Sequence, residues 1–271
     1  MSYRICSLYF SATTTTDKVV HEFISTLKKE LEISEHTDYD FTLPHARKTM
    51  PEFNENDIVV VGVPTYAGRV PNLLLPYLNQ INAKGALGVS IVLYGNRNFD
   101  DSLIELTELM TNGGMKVVGS GAFIGEHSFS TTLGAKRPDE SDMKIVREFA
   151  TCVAQKIKTN NLSESKPKGE SPIRPYFTPQ DRHGNKINFV KIKPMTNLKA
   201  CINCKICAKS CPLGSIDFED VSQVPGKCMK CCACVKKCPT GAKYFSDEGY
   251  LFHQRELEEI YERRSEPVYF L

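Results

Sequence analysis

Eight cysteines between positions 201 and 238 fall into two matching runs. The first is Cys201, Cys204, Cys207 and Cys211, followed by Pro212; the second is Cys228, Cys231, Cys234 and Cys238, followed by Pro239. Each reads C-x2-C-x2-C-x3-C-P. Thiolates are soft donors that suit iron–sulfur chemistry. Three cysteines at x2 spacing wrap a tight loop around one cubane, and the fourth, ahead of the proline, reaches a second one. The spacing therefore predicts two [4Fe-4S] clusters. One takes Cys201, Cys204, Cys207 and Cys238, the other Cys228, Cys231, Cys234 and Cys211. Zinc is the competing reading, but structural zinc sites pair two x2 knuckles per metal and have no need of triplets closed by Cys-Pro.

Around these ligands, residues 196–245 hold eight lysines and only Asp217, Glu219 and Asp220 as acids. Positive charge near a cluster raises its reduction potential, and the remainder can steer an acidic redox partner protein. Cys232, next to a ligand, reads as a packing residue. Cys6 and Cys152 read as modest hydrophobes on a strand and a helix.

A second chemical feature lies near the start. The apolar run Tyr3–Phe10 is followed by Ser11, Ala12, Thr13, Thr14, Thr15 and Thr16, and then by a helix faced with Val19, Val20, Phe23, Ile24, Leu27 and Leu31. Hydroxyls and unpaired N–H groups at a helix start form an anion site. The loop has neither the Gly-Lys-Ser/Thr ending of a nucleotide-hydrolysing loop nor the three glycines of a dinucleotide turn.

The elements that position both features follow from the hydrophobic pattern. Further strands are expected at Tyr39–Phe41, Asp57–Val63, Gly88–Tyr94 and Val117–Ile124. Helices are expected at Pro71–Asn82, distorted or shortened by Pro76, and at Ser102–Asn112 and Asp139–Lys158. Strands alternating with helices predict a parallel sheet covered on both faces. Residues 1–158 form that domain, and the polar stretch beginning at Thr159 opens a linker that runs to 195. Within it His183-Gly184-Asn185 reads as a turn, and Phe189, Val190 and Ile192 as a short strand. The cluster module spans 196–245. Residues 246–271 hold a charged helix, Arg255–Arg264, and an apolar end, Val268–Leu271, that docks on the rest.

Three loops, after the first, third and fourth strands, meet at the switch point of a sheet ordered 2-1-3-4-5. Over roughly the first 160 residues the sequence resembles the flavodoxin family. Ser11-x-Thr13-x-x-Thr16 resembles its phosphate loop, with Ala12, Thr14 and Thr15 where flavodoxins carry glycine and asparagine. Pro64, Thr65, Tyr66, Ala67 and Gly68 resemble the loop that sets an aromatic ring and a glycine peptide beside the flavin. Gly95, Asn96, Arg97, Asn98 and Phe99 resemble the loop on its other side. The resemblance implies FMN, with Tyr66 stacking on the ring and His127 within reach of its edge or of the module. Residues 196–245 resemble bacterial ferredoxins, and the two units in this order resemble flavodoxin–ferredoxin fusion proteins. That implies electron transfer between clusters and FMN, converting one-electron into two-electron steps.

The sequence shows no Ser, His and carboxylate grouping and no NAD(P)H fingerprint, which favours a carrier over an enzyme. A reductase with a pocket edged by Tyr66, Arg97 or His127, and a redox-sensing interaction protein, are the alternatives. With 34 basic and 32 acidic residues the formal charge is +2, which gives no sign of nucleic-acid binding. No apolar stretch reaches the length of about 18 residues that a membrane span needs. MSYRICSLYF has no charged n-region or cleavage site, and nine of eleven cysteines lie in one dense cluster, so a reducing cytoplasm is expected.

Overall fold

The computed structural model describes residues 3–271. The front unit is built on strands β1 (Arg4–Tyr9), β2 (His36–Asp40), β3 (Asp57–Pro64), β4 (Leu87–Tyr94) and β5 (Lys116–Ile124). They stand in the order β2-β1-β3-β4-β5, all parallel. This is the flavodoxin-like doubly wound order. The inner strands are apolar along nearly their whole length because both faces are covered.

Helices α1 (Thr15–Leu31) and α4 (Glu140–Lys158) cover one face, where Phe23, Ile24, Phe149 and Val153 share a core with Ile58, Val60 and Ile91. Gly62 lets α1 approach β3 closely, since a Cβ there would meet Val20 Cγ2 at 2.4 Å. The other face carries α3 (Ser102–Asn112) and α2 (Leu75–Leu78), with Leu103, Leu106, Leu74 and Leu78 buried against Val59, Val61 and Val92.

The helix expected over Pro71–Asn82 is reduced to those four residues of α2. Leu74 and Leu75 donate back to Pro71 and Asn72 in tight turns, and Pro76 at the start of α2 lacks the N–H that a longer helix would need. The strand expected around Phe189–Ile192 is instead a 3-10 turn, because the Asn188 side chain accepts from the Val190 N–H and bends the chain.

The C-terminal module holds β6 (Met195–Thr196), α5 (Ile206–Lys209), α6 (Ala233–Lys236) and β7 (Lys243–Tyr244), with β6 and β7 antiparallel. The charged helix begins earlier than expected, as α7 (Glu248–Ile260), because the Asp247 carboxylate caps it through the Tyr250 N–H. The apolar end forms β8 (Val268–Phe270), which pairs antiparallel with β5. The sheet therefore has six strands, the last covering backbone groups that β5 would otherwise present at an open edge. Among the described residues no helix is long and apolar enough to cross a membrane.

Residues 159–194 have fixed contacts with the front unit. The Ser165 N–H donates to Val117 O at 2.8 Å, the Tyr176 hydroxyl to Val70 O at 2.7 Å and the Phe177 N–H to Ala67 O at 2.9 Å. Buried Asp101 accepts from the Glu170 and Arg174 N–H groups, both at 3.0 Å, and from the Arg174 guanidinium at 2.6 and 2.8 Å.

The Arg174 guanidinium holds the Asp101 carboxyl down to about 2, against the pull of burial. A depressed carboxylate stabilises the fold above its unfolded value of about 3.9 and loses that contribution as the group protonates. Hydrogen exchange over residues 165–177 is therefore expected to rise as pH falls from about 4 to about 2. Asp101→Asn should raise the exchange at neutral pH and flatten the pH step; an unchanged step would show that another group anchors the segment.

Candidate functional site

The two cysteine runs fold as near copies. Asn203 and Lys205 in the first run, and Lys230 and Cys232 in the second, adopt the left-handed conformation at matching positions. Each run then enters a four-residue helix, α5 or α6. The left-handed turns curl the backbone so that the thiols point to a common centre. One small cavity is lined by Cys201, Cys204, Cys207 and Cys238. The other is lined by Cys211, Cys228, Cys231 and Cys234, together with Cys232. Each set thus takes three thiols from one run and the fourth from the other. Among the described residues no three His, Cys, Asp or Glu side chains converge as a site for a single metal ion.

Burial pushes the Cys231 and Cys234 thiols well up, and Cys207 in the same direction. A thiolate there needs a cationic centre beside it, which iron supplies. Cys238 moves down: burial opposes it, but the backbone N–H donors of Lys243, Thr240 and Ala242 outweigh burial. The Ser215 N–H donates to Cys211 Sγ at 3.3 Å. Cys232, raised by burial to about 12, lies 3.4 Å from the Tyr250 hydroxyl and serves packing.

At the front unit the loop after β1 is open as a donor. Thr14, at φ +68°, is the N-cap of α1 and makes no side-chain cap bond. Ser11 Oγ takes the Asp17 N–H at 3.0 Å, and the Ser11 N–H is fixed by Thr42 Oγ1 at 2.8 Å. The N–H groups of Thr15 and Thr16 have no acceptor among the described residues. Thr16 is buried, Thr13 and Thr15 are half-buried, and Ala12 faces the core. This donor set fits a phosphate.

The loop after β3 makes a tight reverse turn in which Ala67 and Gly68 are left-handed and Tyr66 bridges Arg69. Pro64 ends the strand, and Thr65 Oγ1 lies 2.6 Å from Ser102 Oγ. In the loop after β4, a Cβ on Gly95 would meet the His127 ring at 2.3 Å. Arg97 pairs with Asp100 and lies over the Phe177 ring, Asn98 Oδ1 accepts the Asp100 N–H at 2.9 Å, and Phe99 packs on Tyr94.

Two of these residues have roles the sequence did not suggest. Asn96, 3% exposed, donates to Tyr261 O and Arg263 O, both at 2.7 Å, and accepts from the Ser265 N–H at 3.1 Å. Its side chain therefore ties down the chain ahead of β8. His127 is a wedge behind Gly95; burial, helped by the charges of His253, Lys236 and Arg97, pushes it down to about 4, so it is neutral.

The module is docked over these loops. Met229, Cys231 and Ala233 join the core that contains Ala12, Val63 and Tyr66. Burial pushes the Tyr66 phenol up, and the neighbouring thiols of Cys231 and Cys232 add to it. Lys236 donates to Glu126 and to Ser130 O, and Arg47 to Pro212 O. These clamps have no motif; the only hint was a lysine at the same place in both cysteine runs.

Residues 193–249 match the family model of the 4Fe-4S dicluster domain. A 4Fe-4S dicluster domain is present. No curated protein matches the chain. Among solved structures, a flavodoxin from the domain Archaea is 15% identical over 57% of this chain and 99% of its own, with a TM-score of 0.40. A short-chain flavodoxin associated with a non-canonical PDU bacterial microcompartment is 16% identical, covering 59% and 99%, at 0.41. The Fusobacterium nucleatum flavodoxin bound to flavin mononucleotide is 18% identical, covering 58% and 98%, at 0.37. Scores this low assign nothing by themselves; the order of the sheet makes the front unit flavodoxin-like.

Asn96→Ala should leave the buried Ser265 N–H and the partly buried carbonyls of Tyr261 and Arg263 without this partner and destabilise the protein by about 2 kcal/mol. Urea unfolding of the holoprotein measures it. A change below about 0.5 kcal/mol would mean that the tail holds without this side chain.

Proposed function

We propose that the chain is an electron-transfer protein that links two [4Fe-4S] clusters to FMN. The observation that carries this reading is the shared core of Cys231, Ala233 and Tyr66, which brings one cysteine set to the switch-point crevice. In this reading Cys201, Cys204, Cys207 and Cys238 hold an outer cluster, and Cys228, Cys231, Cys234 and Cys211 an inner one. The grouping of three thiols from one run with a fourth from the other supports polynuclear clusters over zinc ions held by paired x2 knuckles.

The N–H groups of Thr15 and Thr16 and the hydroxyls of Thr13 and Thr15 would hold the FMN phosphate at the positive end of α1. The chain segments 64–68 and 95–99 would bracket the ring, with Tyr66 against one side. When bound, FMN supplies a centre able to carry one or two electrons beside clusters that carry one. The chain's own contribution is positional. Gly68 and Gly95 keep both loops close, His127 and Asp100 back them, and the Lys236–Glu126 pair holds the module over the crevice. Residues 1–158 serve as the flavin unit, 159–195 as a docked tether, 196–245 as the cluster module and 246–271 as the clasp.

Anaerobic purification followed by iron, sulfide and flavin analysis tests the assignment. About eight irons and one FMN per chain are expected. Cys211→Ala should reduce the iron to about four and leave the outer cluster's spectrum intact. Zinc without iron would sink the cluster half, and absence of FMN the flavin half.

A further inference from the structure

The repeat of the two cysteine runs allows their surroundings to be compared position by position. Aligned on the cysteines, Ile202 corresponds to Met229, Cys204 to Cys231, Ile206 to Ala233 and Lys209 to Lys236. The backbone conformations match as well. What differs is what each run touches.

In the second run every one of these positions is used within the chain. Met229, Cys231 and Ala233 pack into the front core, and Lys236 gives its ammonium to Glu126. In the first run the same positions are bare. Ile202 is 65% exposed, Cys204 and Ile206 are exposed, and Lys209 has no ion-pair or hydrogen-bond partner for its side chain among the described residues. Leu198, shortly before Cys201, is 71% exposed and is followed by exposed Lys199. Single exposed apolar side chains are ordinary. Here Ile202 and Ile206 line one cavity with the exposed candidate ligand Cys204, and Lys209, without a partner among the described residues, follows in the same run; the sister run shows what such an arrangement fits: an apolar recess with a carboxylate at its rim.

We infer that the first run is the docking surface for a separate electron-carrier protein. Resting on the electron-transfer reading above, it assigns the carrier a complementary face: an apolar recess for Ile202 and Ile206, and a carboxylate for Lys209. The front unit offers the same combination to the second run through the core beside Tyr66 and through Glu126. The module is thus a two-sided adaptor, with one side filled by its own chain and the other turned outward.

The test titrates the holoprotein with a flavodoxin of net negative charge and, separately, with cytochrome c as a carrier of net positive charge, each at low and high salt. The negative carrier should bind, more weakly as salt rises. Lys209→Glu and Leu198→Asp should each weaken it by about tenfold, with iron content and direct reduction by dithionite unchanged. Unchanged affinity in both variants would overturn the inference, as would equal binding of cytochrome c. So would a concentration-dependent dimer in sedimentation that Leu198→Asp abolishes, which would make a second copy the occupant. A preparation without iron would sink the electron-transfer reading itself; full iron with no carrier binding sinks only this surface.

Discussion

The packing of Met229, Cys231 and Ala233 into the core of the front unit, with Cys231 near Tyr66, is the contact on which the arrangement of the two units depends. Polar clamps surround it: Lys236 on Glu126, Arg47 on Pro212, and Asn96 on the tail. A half-exposed ion pair adds little by itself, so Lys236 and Arg47 fix register while the apolar contact holds the faces together. Cys231, at 7% exposure, is part of the core of the front unit. Its counterpart Cys204 shows how the same loop stands without such cover.

This contact also explains why the three loops of the front unit have the residues they have. A loop that must accept another domain on one side and leave donors open on the other has little room for side chains near its apex. Gly68 and Gly95 meet that demand, with Asp100 and His127 filling the space behind them. The left-handed Thr14 meets it differently, turning the chain into α1 while leaving the first N–H groups of the helix without a cap.

Legibility in the sequence followed the range of the forces involved. Local patterns were clear: the valine-rich β3, the stripe on α1 and the cysteine spacing, since each is set by neighbours in the chain. The order of the parallel strands could be read because so few doubly wound arrangements exist. Features made by distant partners were not legible. A three-residue β8 has too little periodicity to announce a strand, and its pairing depends on the edge of β5. Asn96 read as one member of a loop because its partners lie more than 160 positions away. The docking role of Lys236 was hidden in a run of lysines that had the composition of an ordinary solvated face.

The antiparallel β8 gives the chain a different connectivity from two beads on a string. The front sheet is closed by residues that follow the module, so the module is an insertion between the fifth and sixth strands of a domain that starts before it and finishes after it. As the chain is synthesised, the parallel core can form early, but its last edge stays bare until the cysteine runs and α7 have been made. The cysteine runs and α7 are therefore synthesised before the segment that closes the front sheet, and β8, once paired with β5, ties the far end of the module back to it.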